Sequence, residues 1–379
     1  MRDTDQVGEM AREGYGSRVM DALPDNDAQV RNRRGILIPL LLVGLAACAL
    51  GLRGCCAVPA SAQAEGPRAQ QSPCVYEFPI FNTFAILKAW VPEKQADDAA
   101  KEVTTILREL HHRINLFDPE SELAALNRTA SAEPFRCSDE LWALLQECRR
   151  AWRETDGAFD VSVGPLMRLW GHHRKRETLP SAAEITEALG LVGLQQVTFD
   201  DAKHTVRFPK PGMYLDFGGI AKGYALQLVV DVLRDRGITP ALVDLGGNVA
   251  GRGVPPGRDA FVIGVRDPFA TDELLGTLEV RDRAVATSGN YERQIVIQGR
   301  TIQHIVDPRT GHPVSRFAGV TIITPRPVNS DIYSTAVFVA GDGLAKKLTT
   351  RDPDTGIVIV RKGAKGPDVQ TYGRVRIDR

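Results

Sequence analysis

Tyr214-Leu215-Asp216-Phe217-Gly218-Gly219-Ile220-Ala221-Lys222-Gly223-Tyr224-Ala225-Leu226 reads as a strand ending in a carboxylate, a glycine turn, and a helix that runs on to Arg236 with a lysine in its first turn. Gly218 and Gly219 permit positive φ and put no Cβ in the way of a ligand. The first N–H groups of the helix have no partner within it and point at the same spot. A phosphorylated ligand suits such a seat. A plain strand-to-helix turn accounts for the residues equally well, because a glycine-rich turn alone is a weak signal.

Working outward from this stretch, residues 241–249 read as a second strand ending in Gly246-Gly247, with further strands at 261–266, 278–287, 293–297, 320–324 and 357–360. Helices are expected at 330–340 and 344–349. Upstream, 75–91 form two strands, 93–115 a helix, and 121–127 a short helix capped by its own first residues. An amphipathic helix at 138–155 carries Leu141, Leu144, Leu145, Cys148 and Trp152 on one face and stops at Asp156-Gly157. Residues 172–180 are a polar, basic loop, 182–189 another helix, and 197–208 a hairpin. Strands that follow one another directly argue for an α+β fold, with mixed and largely antiparallel sheets, flanking helices and one catalytic unit of two lobes. His112, His172 and His173 have no carboxylate or cysteine at ligand spacing and read as surface residues.

The chain has 379 residues, 43% of them hydrophobic, so it can bury a sizeable core. Lys plus Arg equals Asp plus Glu at 47 each, which leaves no global field to draw nucleic acid. Residues 1–34 form a polar lead, with Met20 an alternative start, and Arg31, Arg33 and Arg34 stand before an apolar run. Residues 35–56 therefore read as an export signal or membrane anchor. Leu45-Ala46-Ala47-Cys48 has the form of a lipoprotein box that makes Cys48 the lipidated terminus. Cleavage after Ala60-Ser61-Ala62 and an uncleaved helix over 35–52 are the alternatives. Residues 57–73 are a low-complexity tether and 74–379 the folded unit. The six cysteines show no metal-finger spacing; Cys137 and Cys148 are either bridged or two small buried residues.

Three further constellations carry polar chemistry. Thr287-Ser288-Gly289-Asn290-Tyr291-Glu292-Arg293 is a hydroxyl-rich turn. In His304-Ile305-Val306-Asp307-Pro308-Arg309-Thr310-Gly311, His304 is a candidate base or phosphate ligand, while Asp307 either joins it or caps the turn at Pro308. In Asn329-Ser330-Asp331-Ile332-Tyr333-Ser334-Thr335-Ala336, a helix stacks Asp331 and Thr335 on one face. Those hard oxygens suit Mg²⁺; a mere helix N-cap at Asp331 is the competing reading.

Taken in order, these pieces resemble the ApbE-like FAD:protein FMN transferase family over roughly residues 80–345. The resemblance rests on Ser121-Glu122-Leu123 with Asn127, Gly157-Ala158-Phe159-Asp160 with Pro165 and Trp170-Gly171, residues 216–223, Ala286-Thr287-Ser288-Gly289, residues 304–311 and residues 331–336. It implies an enzyme that moves FMN from FAD, through a phosphoester, onto a Thr or Ser of another protein and releases AMP. It also implies FAD against Phe117, Ala158, Phe159, Asp160, Asp216, Lys222, His304 and Ile305, with Phe117 as the stacking ring. Mg²⁺ would rest on Asp331, Thr335 and the Gly219 carbonyl with Ser334 nearby, and His304, Asp307 and Lys222 would act in catalysis. The implied acceptor is a subunit of a membrane redox complex outside the cytoplasm. The chain departs from the family pattern at Phe81-Asn82-Thr83 in place of Met-Gly-Thr, at Phe117 in place of tyrosine, and at Asn248 in place of an aspartate. Two other readings compete: an exported lipoprotein that only binds or hydrolyses FAD, and a solute-binding lipoprotein with no need of Mg²⁺.

Overall fold

The computed structural model describes residues 72–270, 272–291 and 293–378. The polar lead, the apolar segment with Cys48, and nearly all of the expected tether lie outside the described residues. From Cys74–Ile80 (β1) the chain turns into Thr83–Ala89 (β2) and enters Glu93–Ile114 (α1). Glu122–Thr129 (α2), Phe135–Arg136 (β3), Asp139–Glu154 (α3), Gly164–Leu169 (α4), Ala182–Leu189 (α5) and the hairpin Thr198–Asp200 (β4) with Thr205–Arg207 (β5) follow. Ala221–Asp235 (α6) then leads to Ala241–Leu245 (β6), Asn248–Arg252 (β7), Phe261–Arg266 (β8), Leu274–Val280 (β9) and Arg283–Gly289 (β10). The last third holds Ile295–Ile297 (β11), Arg300–Ile302 (β12), Gly319–Thr324 (β13), Pro327–Ala340 (α7), Asp342–Arg351 (α8), Gly356–Lys362 (β14) and Pro367–Gly373 (β15).

Eight strands form one sheet in the order β1-β2-β6-β7-β10-β13-β14-β15, every pairing antiparallel. One face carries α1, α6 and α7, and α7 lies across β10 and β13. Helix α1 buries Ala96, Ala99, Ala100, Val103, Leu107, Leu110 and Ile114, the spacing of a single helical stripe. Helix α7 is buried on nearly every side, so its polar residues need partners inside the protein. The hairpin β8–β9 partly covers the opposite face through Phe261, Val265, Leu278 and Val280 against Val285 and Ile323. A second lobe packs Leu166, Trp170, Ile185 and Val192 against Ile297, Ile302 and Val306.

Several sequence expectations change here. Leu215 joins no sheet; its N–H donates to Asn127 Oδ1 at 2.8 Å and its carbonyl accepts from Asn127 Nδ2 at 3.0 Å, so a side-chain amide takes the place of a neighbouring strand. Residues 241–249 are not one strand but a hairpin, with Gly246 and Gly247 at φ 55° and 88° supplying its turn. The expected strand at 278–287 breaks at Arg281-Asp282 into β9 and β10, which belong to different sheets. The departure at Phe81-Asn82 proves to be the β1–β2 turn, both residues at positive φ. Cys137 and Cys148 are both free and buried; burial pushes the Cys137 thiol up to about 12 and that of Cys148 upward as well.

Candidate functional site

The site begins where α6 meets α7. A Cβ on Gly223 would lie 2.4 Å from Asp331 Cβ and 3.2 Å from the Pro327 and Val328 carbonyl oxygens, so only glycine lets the helices approach this closely. The contact brings Gly223 N–H to Asp331 Oδ2 at 2.8 Å. Gly219 rests on the Phe159 ring and Thr335, whose Oγ1 would be 3.5 Å from a Cβ there. Neither Gly218 nor Gly219 uses positive φ, so the opening stretch needs its glycines for space rather than for turn geometry. Helix α7 starts at Pro327, in keeping with proline's preference for a first turn, which puts Asp331 inside the helix and rules out the N-cap reading.

Asp331 is 6% exposed. Burial pushes its carboxyl above the usual range, against the charge of Lys222, the nearby Asn248 amide and the Gly223 N–H. Asn248 Nδ2 is buried and completes no hydrogen bond among the described residues, so its effect on Asp331 is one of proximity. Ser334 Oγ lies 2.8 Å from Ser288 Oγ and donates to the Asp331 carbonyl at 2.9 Å, which ties α7 to β10. Asp331, Thr335 and the Gly219 backbone offer one carboxylate and two neutral oxygens, a set that fits Mg²⁺ when phosphate oxygens and waters complete the shell. Among the described residues no group of three His, Cys, Asp or Glu side chains is placed to hold a metal.

The second half of the site hangs on loops. Asp160 accepts from Ser162 N–H at 2.8 Å, Ser162 Oγ at 2.5 Å and Leu194 N–H at 2.9 Å. Its carboxylate is thus filled by the chain's own donors, even though burial pushes its pKa up. What Asp160 secures is the turn whose Val161 carbonyl takes the Asp216 N–H at 2.7 Å. Ala158, Phe159 and Ile305 are buried, so the contacts the resemblance assigns there fall to packing and backbone.

Asp216 accepts from Gly218 N–H at 2.7 Å on Oδ1 and faces His173 Nε2 at 2.8 Å on Oδ2. Burial works to raise its pKa, but the hydrogen bond and charge of His173, the Gly218 amide and Arg293 hold the carboxyl below its ordinary range. His173 is therefore no surface residue; its side chain is 13% exposed. His172 is also drawn in, its Nε2–H donating to the Gln303 carbonyl at 3.0 Å, and burial lowers its pKa. His112 alone of the three stays on the surface. Phe117 is 70% exposed and meets the His173 ring edge to face at 5.7 Å.

His304 is pushed down to about 4, first by burial and then by the positive charges of His172, Arg293 and Lys222. Among the described residues its Nδ1 is buried without a partner, as is Gln303 Oε1. Lys222 Nζ sits 3.4 Å from the Gly246 carbonyl, and its charge acts on both His304 and Asp331. Asp307 behaves differently. Its carboxylate takes the N–H, Nε and Nη2 of Arg309, each at 2.9 Å, and so closes the turn at Pro308. Of its two sequence readings the structure supports the cap. The sequence assigns His173, Tyr214 and Arg293 no individual role, since Asp216 and its histidine stand 43 positions apart and no local spacing pairs them.

A sequence model described as the ApbE family matches residues 81–359. The FAD:protein FMN transferase of Klebsiella pneumoniae (strain 342) is 34% identical over 244 residues, 64% of this chain and 75% of its own length. That of Treponema pallidum (strain Nichols) is 34% identical over 265 residues, 66% and 73% of the two chains. Among solved structures, the flavin transferase ApbE from Vibrio cholerae superposes with a TM-score of 0.70 at 26% identity, covering 79% of this chain and 97% of that one. The ApbE protein from Thermotoga maritima gives 0.70 at 31% identity over 81% and 97%.

Proposed function

This chain belongs to the ApbE family, and from that membership and the site we propose that it transfers FMN from FAD to a Thr or Ser of a partner protein, releasing AMP. The observation that carries the proposal is the convergence of the signature segments. The start of α6, Asp331 with Thr335, and His304 with its unpartnered Nδ1 are linked through Lys222.

In the transfer, the acceptor hydroxyl oxygen bonds to the FMN-side phosphorus while the bond from that phosphorus to the bridging oxygen breaks. AMP leaves with the bridging oxygen, and the hydroxyl proton must be taken up. Neutral His304 would take up that proton, since the Asp307 carboxylate is already held by Arg309. Lys222 supplies positive charge where the pyrophosphate gathers negative charge, whereas the Ala221 and Gly223 N–H groups at the start of α6 are already taken by the Phe217 carbonyl and Asp331 Oδ2. Asp331, Thr335 and the Gly219 carbonyl would hold Mg²⁺, which when bound supplies charge neutralisation for the phosphates. Phe117 presents an exposed ring for stacking.

The proposal extends to place and partner. The positive flank, apolar run and cysteine box at 31–48 support an exported protein lipidated at Cys48, and the family resemblance alone implies an acceptor that is a subunit of a membrane redox complex. The test is mass spectrometry of an acceptor domain after incubation with the full chain, FAD and Mg²⁺, beside an Asp331→Ala control. One added FMN on a single acceptor threonine is expected, together with AMP, and neither with EDTA or in the control. AMP without acceptor labelling would replace transfer by hydrolysis.

A further inference from the structure

Tyr214 has one hydroxyl proton, and the Gly164 carbonyl takes it at 2.6 Å. The contact is built in, since a Cβ on Gly164 would collide with the Tyr214 ring at 2.5 Å. His173 Nδ1 lies 3.0 Å from the same hydroxyl oxygen, which can then only accept, so Nδ1 must carry a hydrogen. On the other side of the ring, Nε2 faces Asp216 Oδ2 at 2.8 Å. An ionised carboxylate only accepts, so a proton must lie there too. Asp216 Oδ1 already accepts from Gly218 N–H, so the carboxyl acts as an acceptor and the second proton lies on the ring.

We infer that His173 is a positioning residue of the FAD site, donating from both ring nitrogens to lock the Asp216 carboxylate and support the Phe117 ring. This rests on the transferase reading above and deepens it. With Gly218 N–H on one carboxylate oxygen and His173 on the other, both Asp216 oxygens are held. Among the described residues, His173 is the ring that Phe117 touches, so one imidazole steadies two groups on the nucleotide side. The other charges acting on this network are His172 next in the chain, Arg293 on Asp216, and Arg168 on Tyr214.

Because His173 acts through Asp216 and Phe117, its loss is expected in FAD affinity rather than in the chemical step. In full-length protein, His173→Ala should raise the KM for FAD about tenfold and leave kcat within about twofold, the size of one charge-assisted hydrogen bond. His173→Gln, which keeps a donor toward Asp216, should recover most of that loss. Tyr214→Phe removes only the Nδ1 acceptor and should raise KM about threefold. Nitrogen-15 spectra of histidine-labelled enzyme should show both His173 ring nitrogens protonated. A single-tautomer pattern, or a His173→Ala KM within twofold of the wild type, overturns the inference while leaving the transferase reading intact. A merely structural role would lower kcat and KM together or melt the variants, with no rescue by glutamine. Wild-type protein that neither binds FAD nor labels an acceptor instead overturns the transferase reading and, with it, this role for His173.

Discussion

The two halves of the site are built in opposite ways. Around Asp331 and Thr335 the candidate oxygens sit on a buried helix, pressed against a second helix through Gly219 and Gly223 and tied to the sheet through Ser288. Around Asp216 and Phe117 they sit on loops and turns, held by side chains that come from distant points in the chain. The first half has no freedom of position, because moving either helix strains packed atoms. In the second half Phe117 is exposed, while Asp216 is held on loops by His173 and the Gly218 N–H.

The comparison is most exposed at Gly223. Gly223→Ala places a methyl 2.4 Å from Asp331 Cβ and drives α6 off α7. It should cost about 3 kcal/mol of stability, and transfer should fall by about a hundredfold as the Gly223–Asp331 hydrogen bond is lost. Thermal melting and acceptor labelling check both effects. Near-normal labelling would show that the rigid half tolerates movement and would erase the contrast.

A smaller effect is expected at His304, where the two halves meet. Its pKa falls from an unfolded value of 6.5 to about 4. Between those values the unfolded chain binds more protons than the folded one, so His304 adds stability above about pH 6.5 that is lost as pH falls toward 4. Urea unfolding of wild type and His304→Gln from pH 7 to pH 4.5 should show a steeper acid loss in the wild type. Parallel curves would mean that His304 is not buried neutral.

The smallest effect is predicted for Asp307, whose carboxylate Arg309 already holds. Asp307→Asn weakens its pairing with the half-exposed Arg309 and should lower stability by about 1 kcal/mol, with transfer within about threefold of wild type. Lost transfer with unchanged melting would return Asp307 to the proton-transfer step.

Much of this was written locally. Helical spacing marked α1 and α3, Ser121 announced its cap by accepting from Ala124 N–H at 3.0 Å, and the four-residue interval placed Asp331 and Thr335 on one helical face. These readings succeed because they depend on contacts within one or two turns, where the backbone repeat ties position to direction. The antiparallel α+β class followed from strands that succeed one another directly, and it stands. Pairings across long stretches of chain were decided only by the tertiary structure. Asn127 stands in for a strand beside Leu215, His173 closes on Asp216, Asn248 lies near Asp331, and Gly223 is glycine because a second helix passes there. No local period encodes such contacts, since each is set by how sheet, helices and loops pack around a common core.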